Sequence, residues 1–106
     1  MIVALMLAGL AATVEPATCS FDDSAPEPCQ VSFTAGAGGA TTLRAKGRSG
    51  RQMVFVGKRG SGWWAGTLDG APAMGHELNR GNVAFATRGL DHSFQYWTRG
   101  NEHGSY

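Results

Sequence analysis

The sequence predicts a small all-β domain, an antiparallel meander of about seven strands curled into a barrel and held by one disulfide. Three observations carry that prediction. Short hydrophobic runs recur about every ten residues between clusters of Gly, Asn, Asp and Ser, the spacing of strands joined by tight turns. Helical periodicity is absent, and 16 glycines in a chain of 106 residues leave no long stretch of good helix formers. The only two cysteines, Cys19 and Cys29, lie close together in the sequence. A chain of this length has room for one compact domain and no second module.

Residues 1–17 read as an export signal, and residues 18–106 as the single β domain, ending in a loose C-terminal tail. From Met1 to Val14 there is no charged side chain, and the first turn signal is Glu15-Pro16. The apolar run is shorter than the roughly 20 residues that cross a bilayer as a helix, so no membrane span is expected. A positively charged start is missing, which leaves the amino terminus to set orientation. Gly9-Leu10-Ala11 is the best small-x-small cleavage pattern, whereas cleavage after Ala17 would place Glu15 badly; the cleavage point stays open. Before Cys19, Pro16-Ala17-Thr18 lacks the leucine, and the small residue directly preceding the cysteine, that lipidation prefers. The expected location is periplasmic or secreted. An even cysteine pair in a small exported protein forms a disulfide, and closing so short a loop stabilises by about 3 kcal/mol on chain-entropy grounds. A metal site needs further thiolates or clustered histidines at ligand spacing, which the sequence lacks, and no cofactor is implied.

Strands are expected, in order, at Gln30–Thr34, Thr41–Lys46, Gln52–Gly57, Trp63–Leu68, Ala73–Leu78, Val83–Thr87 and Ser93–Trp97. Val31 and Phe33 alternate with Ser32 and Thr34, and Leu43 and Ala45 with Arg44 and Lys46, so those two cations point to solvent. Turns fall at Gly36–Gly39, Gly47–Gly50, Gly60-Ser61-Gly62, Asp69-Gly70 and Asn79–Asn82, all rich in residues that tolerate positive φ. Asp69-Gly70 is the strongest, a two-residue hairpin loop, and Pro72 just after it implies an edge position or an interrupted ladder. The aliphatic stock is small: Val31, Leu43, Val54, Val56, Leu68, Leu78, Val83 and Leu90. Phe33, Phe55, Phe85, Phe94 and one or more of Trp63, Trp64 and Trp97 must therefore fill the core. A closed barrel is favoured over an open sheet because closure removes exposed edges.

Nine Lys and Arg stand against eight Asp and Glu, a net charge of +1, or +2 once Glu15 leaves with the signal. Asp22, Asp23 and Glu27 lie between the cysteines, whereas Arg44, Lys46, Arg48, Arg51, Lys58 and Arg59 form a stretch without acids, so one side is locally basic. With so small a net charge this reads as a solvated face, and nucleic acid is not expected as a partner. Lipopolysaccharide phosphates or acidic peptidoglycan groups are the accessible anions if the patch binds anything. Trp63-Trp64 puts one indole in the core and the other outside. Beside Lys58 and Arg59, an exposed indole can stack on a sugar ring or anchor a protein partner.

His76-Glu77, Asp91-His92 and Glu102-His103 are neighbours in sequence, and neighbours on a strand point to opposite faces, so such a pair shares neither a proton nor a metal unless it sits in a turn. They read as surface residues whose joint replacement hardly changes stability. Both cysteines are oxidised, the serines lack a strand-to-helix elbow, and the glycine turns lack a phosphate-binding lysine and helix. No enzyme activity is expected.

The Cys19-to-Cys29 opening, with Glu77-Leu78-Asn79-Arg80-Gly81 before Val83–Thr87, resembles small exported proteins of Gram-negative bacteria, which implies a compartment and no activity. Ser61-Gly62 and Trp97-Thr98-Arg99-Gly100-Asn101-Glu102 locally resemble the periplasmic and membrane-bound inhibitors of C-type lysozyme. Those are small β-barrels with a Ser-Gly loop shortly before a tyrosine and a Lys-Gly turn near the C-terminus. The resemblance implies that Ser61 and Arg99 enter the lysozyme cleft and meet its catalytic carboxylates; here Ala65 stands in the tyrosine's place and Arg99 in the lysine's. The expected function is a non-enzymatic binding or inhibitor module with binding residues Lys58, Arg59, Ser61, Trp63, Trp64 and Arg99. Its expected partner is a protein, a cell-wall glycan or an anionic envelope component. The alternatives are a structural or stress-related envelope protein with no specific ligand, and a hydrolase using His76 or His92.

Overall fold

Period-two alternation runs through nearly every segment, and each such segment is a strand. The computed structural model describes residues 13–79 and 81–98. The strands are β1 (Thr13–Phe21), β2 (Glu27–Ala35), β3 (Ala40–Gly47), β4 (Gln52–Arg59), β5 (Trp63–Leu68), β6 (Ala71–Asn79), β7 (Asn82–Thr87) and β8 (Ser93–Thr98). Each pairs antiparallel with the next, and β1 pairs with β8 to close the barrel. All seven expected strands are present, as β2 to β8. The eighth is β1, whose first five residues, 13–17, belong to the segment read above as export signal. These residues pair with β2, Thr13 opposite Phe33 through Ala17 opposite Cys29. A mature chain starting at residue 18 would lack half of this strand.

Buried positions alternate along the strands: Ala17, Cys19 and Phe21 on β1, Leu43 and Ala45 on β3, Met53 and Phe55 on β4, Phe94 and Tyr96 on β8. An eight-stranded barrel is just wide enough for such side chains to fill. A chain of rings runs along the interior. Phe21 lies 5.2 Å from Phe94, Phe94 6.2 Å from Phe85, and Phe85 4.9 Å from Phe55 and 5.7 Å from Trp64. Gly75 makes room for it, since a Cβ there would sit 2.4 Å from the Phe85 ring. Phe33 is only half-buried, packed against the core near Tyr96. Leu78 and Leu90 are corrections to the aliphatic stock, being 44% and 79% exposed. Leu90 sits in the β7–β8 loop at φ 62°, and Leu78 at an irregularity in the β6–β7 register. Val56 points outward because odd-numbered residues of β4 fill the core.

The disulfide Cys19–Cys29 joins β1 to β2 with Cα atoms 5.8 Å apart, and both cysteines are buried. Asp69 and Gly70 both have positive φ, 49° and 89°, the type I′ hairpin that Asp-Gly favours. Pro72 sits where the β6–β7 ladder ends: its carbonyl accepts from Arg88 N–H at 2.9 Å, and the paired residues begin at Ala73 opposite Thr87. Loops alternate between the barrel's two ends. Residues 36–39, 60–62 and 81 lie at the mouth, with the start of β1 and the end of β8; residues 22–26, 48–51, 69–70 and 88–92 form the base.

Candidate functional site

At the mouth, a tight turn decides how β4 and β5 present their side chains. Gly60 N–H donates to the Trp63 carbonyl at 2.8 Å, and Gly62 takes φ 79°. Ser61 is therefore exposed at the hairpin tip. Alternation separates the tryptophans: Trp64 is buried, whereas Trp63 is 48% exposed. The Trp63 indole lies against Gly60, where a Cβ would come within 2.1 Å of the ring. An exposed ring thus packs against the turn at a residue with no side chain.

Alternation also separates the two cations. Lys58, opposite Ala40 and Ala65, faces outward and is exposed. Arg59 faces the mouth, its guanidinium 5.1 Å from the Trp64 ring and 5.6 Å from the Phe33 ring, within cation–π range of both. Trp64 accordingly drops out as a contact residue; it is the floor under Arg59. Its Nε1 is the one buried side-chain donor or acceptor without a partner among the described residues. Tyr96 sits nearby, its phenol pushed up to about 12 by burial; Arg59 works against that shift, and Glu15 and Glu77 add to it. Arg99 lies outside the described residues. Thr98, which precedes it, donates its N–H to the Gly81 carbonyl at 2.8 Å. The end of β8 and the Ser61 tip are therefore at the same end of the barrel, with the β6–β7 turn between them.

The base holds a cluster that sequence reasoning missed. His92 Nδ1 is 2.5 Å from Asp22 Oδ1, and its Nε2 is 2.7 Å from Asp69 Oδ2. Asp22 Oδ1 also accepts from Ser93 N–H at 2.9 Å, and Asp69 Oδ1 from Val54 N–H at 2.9 Å. His92 is raised above its ordinary pKa by the bond to Asp69; burial works against this, and the bond and charge of Asp22 add to it. Burial pushes Asp22 up, but Ser93, His92 and the Arg51 charge outweigh it and leave the carboxyl below its ordinary value. While it is protonated, with both N–H groups held by carboxylates, this imidazole has no lone pair to offer as a base. The expectation that the histidines are surface residues does not describe His92, which is partly buried between two carboxylates. Its neighbour Asp91 is occupied elsewhere, accepting from Thr87 Oγ1 at 2.8 Å. His76, opposite Trp63, is exposed on the outer wall.

Among the described residues no group of three or more His, Cys, Asp and Glu is placed to hold a metal ion. Nor is any helix there long and apolar enough to cross a membrane. No known protein family, curated protein or solved structure matches the chain.

Proposed function

We propose that this protein is an exported, non-enzymatic binding or inhibitor module that works through the rim of its barrel mouth. The observation that carries the reading is Trp63: a large ring, 48% exposed and packed on Gly60, beside exposed Ser61 and Lys58. A ring already fixed in place loses little conformational freedom on binding, and tryptophan is the residue most often found as an anchor in protein interfaces. Export is supported by the bonded cysteine pair, which belongs to an oxidising compartment. The inhibitor reading is supported by Ser61 and the end of β8 sharing one rim, so that Arg99 follows directly from it.

Inhibition of a C-type lysozyme by the wild type and by Trp63→Ala, Arg99→Ala and Lys58→Ala, at low and physiological salt, tests this reading. Trp63→Ala should weaken binding by roughly 2 kcal/mol or more, as a central anchor does. Arg99→Ala should cost roughly 2 to 5 kcal/mol, the range for one member of a desolvated charge pair, while Lys58→Ala should mainly slow association. No inhibition, together with unchanged tryptophan fluorescence on adding peptidoglycan fragments or lipopolysaccharide, would overturn the reading in favour of a structural envelope protein.

A further inference from the structure

The outer wall over β1 to β4 is a different surface from the rim, and alternation has sorted the basic stretch onto it in a line. Arg44 and Lys46 are outward positions of β3, and Arg48 continues the row where its N–H donates to the Pro28 carbonyl at 2.9 Å. All three are exposed. Alternate residues of a strand are about 7 Å apart, which spaces Arg44 and Lys46, and Arg48 follows in the turn after β3. The register sets Ser32 beside Arg44, and Gln30 and Gln52 on either side of Lys46. Two open grooves of about 250 and 540 Å³ lie along the stripe; both include Gln30 and Lys46, one extending to Arg44 and the other to Arg48. They make one continuous track.

Among the described residues no acid shares this wall. Glu15 is opposite Val31 on the interior side, and Glu27 turns to the base, where it accepts from Ser49 N–H at 2.7 Å and Ser49 Oγ at 2.9 Å. Glu27 feels the charge of Arg48, but Arg44 and Lys46 enter no ion pair there. A line of cations in which Arg44 and Lys46 have no acidic partner among the described residues, flanked by amides and a hydroxyl, suits an extended polyanion that also carries hydroxyl groups. Nucleic acid strands are held by aromatic platforms, and this wall has no aromatic side chain. A peptide that binds by strand addition needs a free sheet edge, and the closed barrel has none here.

We propose that the wall over β1 to β4 is a binding track for an extended acidic polysaccharide. Its carboxylates pair with Arg44, Lys46 and Arg48, and its hydroxyls meet Gln30, Ser32 and Gln52. Guanidinium groups take carboxylates in a forked, charge-assisted contact, so the ends of the track fix the register.

Calorimetric titration of the full chain with oligogalacturonate tests the proposal, with polyglutamate, single-stranded DNA, anionic vesicles and neutral dextran for comparison. Oligogalacturonate should bind most tightly, and three released counterions should weaken it about tenfold or more between about 50 and 200 mM salt. The double variant Arg44→Gln/Lys46→Gln should lose about tenfold or more in affinity, whereas Arg51→Gln/Arg88→Gln and Trp63→Ala stay within about twofold. The charge-keeping Arg44→Lys/Lys46→Arg gives up the guanidinium fork at position 44 but should lose clearly less than the Gln pair, which separates lost charge from lost folding. The proposal is overturned by no binding of oligogalacturonate, by equal losses in the two Gln pairs, or by tighter binding of any comparison ligand. Because Trp63→Ala removes the rim anchor and leaves the track intact, failure of the rim reading shows separately.

Discussion

His92 spans two carboxylates that arrive from different hairpins, and only the imidazolium can donate to both at once. Its contribution to stability therefore depends on pH at both ends. Because the folded pKa of His92 lies above 6.5, its share is fully present below that value and is lost as pH rises through the folded pKa. Because the folded pKa of Asp22 lies below 3.8, its share is present above that value and is lost as pH falls through the folded pKa. All three side chains are partly exposed, so the clasp is discounted for solvent screening. His92→Gln should cost about 1 kcal/mol near pH 6. The gap from wild type should shrink towards about pH 9, as the imidazolium gives up one of its two N–H donors. Urea unfolding of both proteins at the two pH values checks this, and a gap that grows with pH would contradict it. Nothing local in the sequence could have revealed the cluster, because the partners stand 70 and 23 positions away and meet only when the base loops converge. The split of Trp63 from Trp64 was legible, since it needs only strand alternation; which one faces in depended on the register of the whole barrel.

Among the elements, β2 to β8 could be read from period-two patterning and Gly-rich turns. β1 could not, because its first half continues an apolar segment that also suits an export signal. The alternation Ala17, Cys19, Phe21 was the available sign, and it begins only where that segment ends. The strand has a consequence for processing. Cleavage after Ala11 leaves Thr13–Phe21 whole, whereas a start at Thr18 removes five pairs with β2 and the pairing of Ala17 with Thr98. About half of the lost pairs carry ladder hydrogen bonds, so residues 18–106 alone should be less stable than residues 12–106 by about 2 to 3 kcal/mol. Thermal unfolding of the two chains measures that difference. On the export proposed above, mass spectrometry of the mature product should find Ala12 at its start, and a product starting at Thr18 would place the boundary inside the strand.

For the whole molecule, every ladder but one joins neighbours in sequence; β1 with β8 is the exception that closes the barrel. The disulfide does not hold that seam directly, since it ties β1 to β2. The seam is carried by five pairs from Ala17–Thr98 to Phe21–Phe94. Asp22 extends it at the base, donating its N–H to the Ser93 carbonyl at 2.8 Å. On this arrangement the disulfide acts chiefly on the unfolded chain, where it shortens the loop that must be ordered before closure can form. Cys19→Ala/Cys29→Ala should therefore fold to the same barrel and lose about 3 kcal/mol, a fall in Tm of roughly 12 to 24 °C for a domain of this size. Its denaturant m-value should rise, because an uncrosslinked unfolded chain exposes more surface. Guanidinium unfolding of wild type and variant separates this account from one based on native contacts. An equal loss of stability with an unchanged m-value would mean that the buried sulfur atoms stabilise the barrel by packing, and a loss below about 1 kcal/mol would mean that the β1–β8 seam and its Asp22 extension suffice without the crosslink.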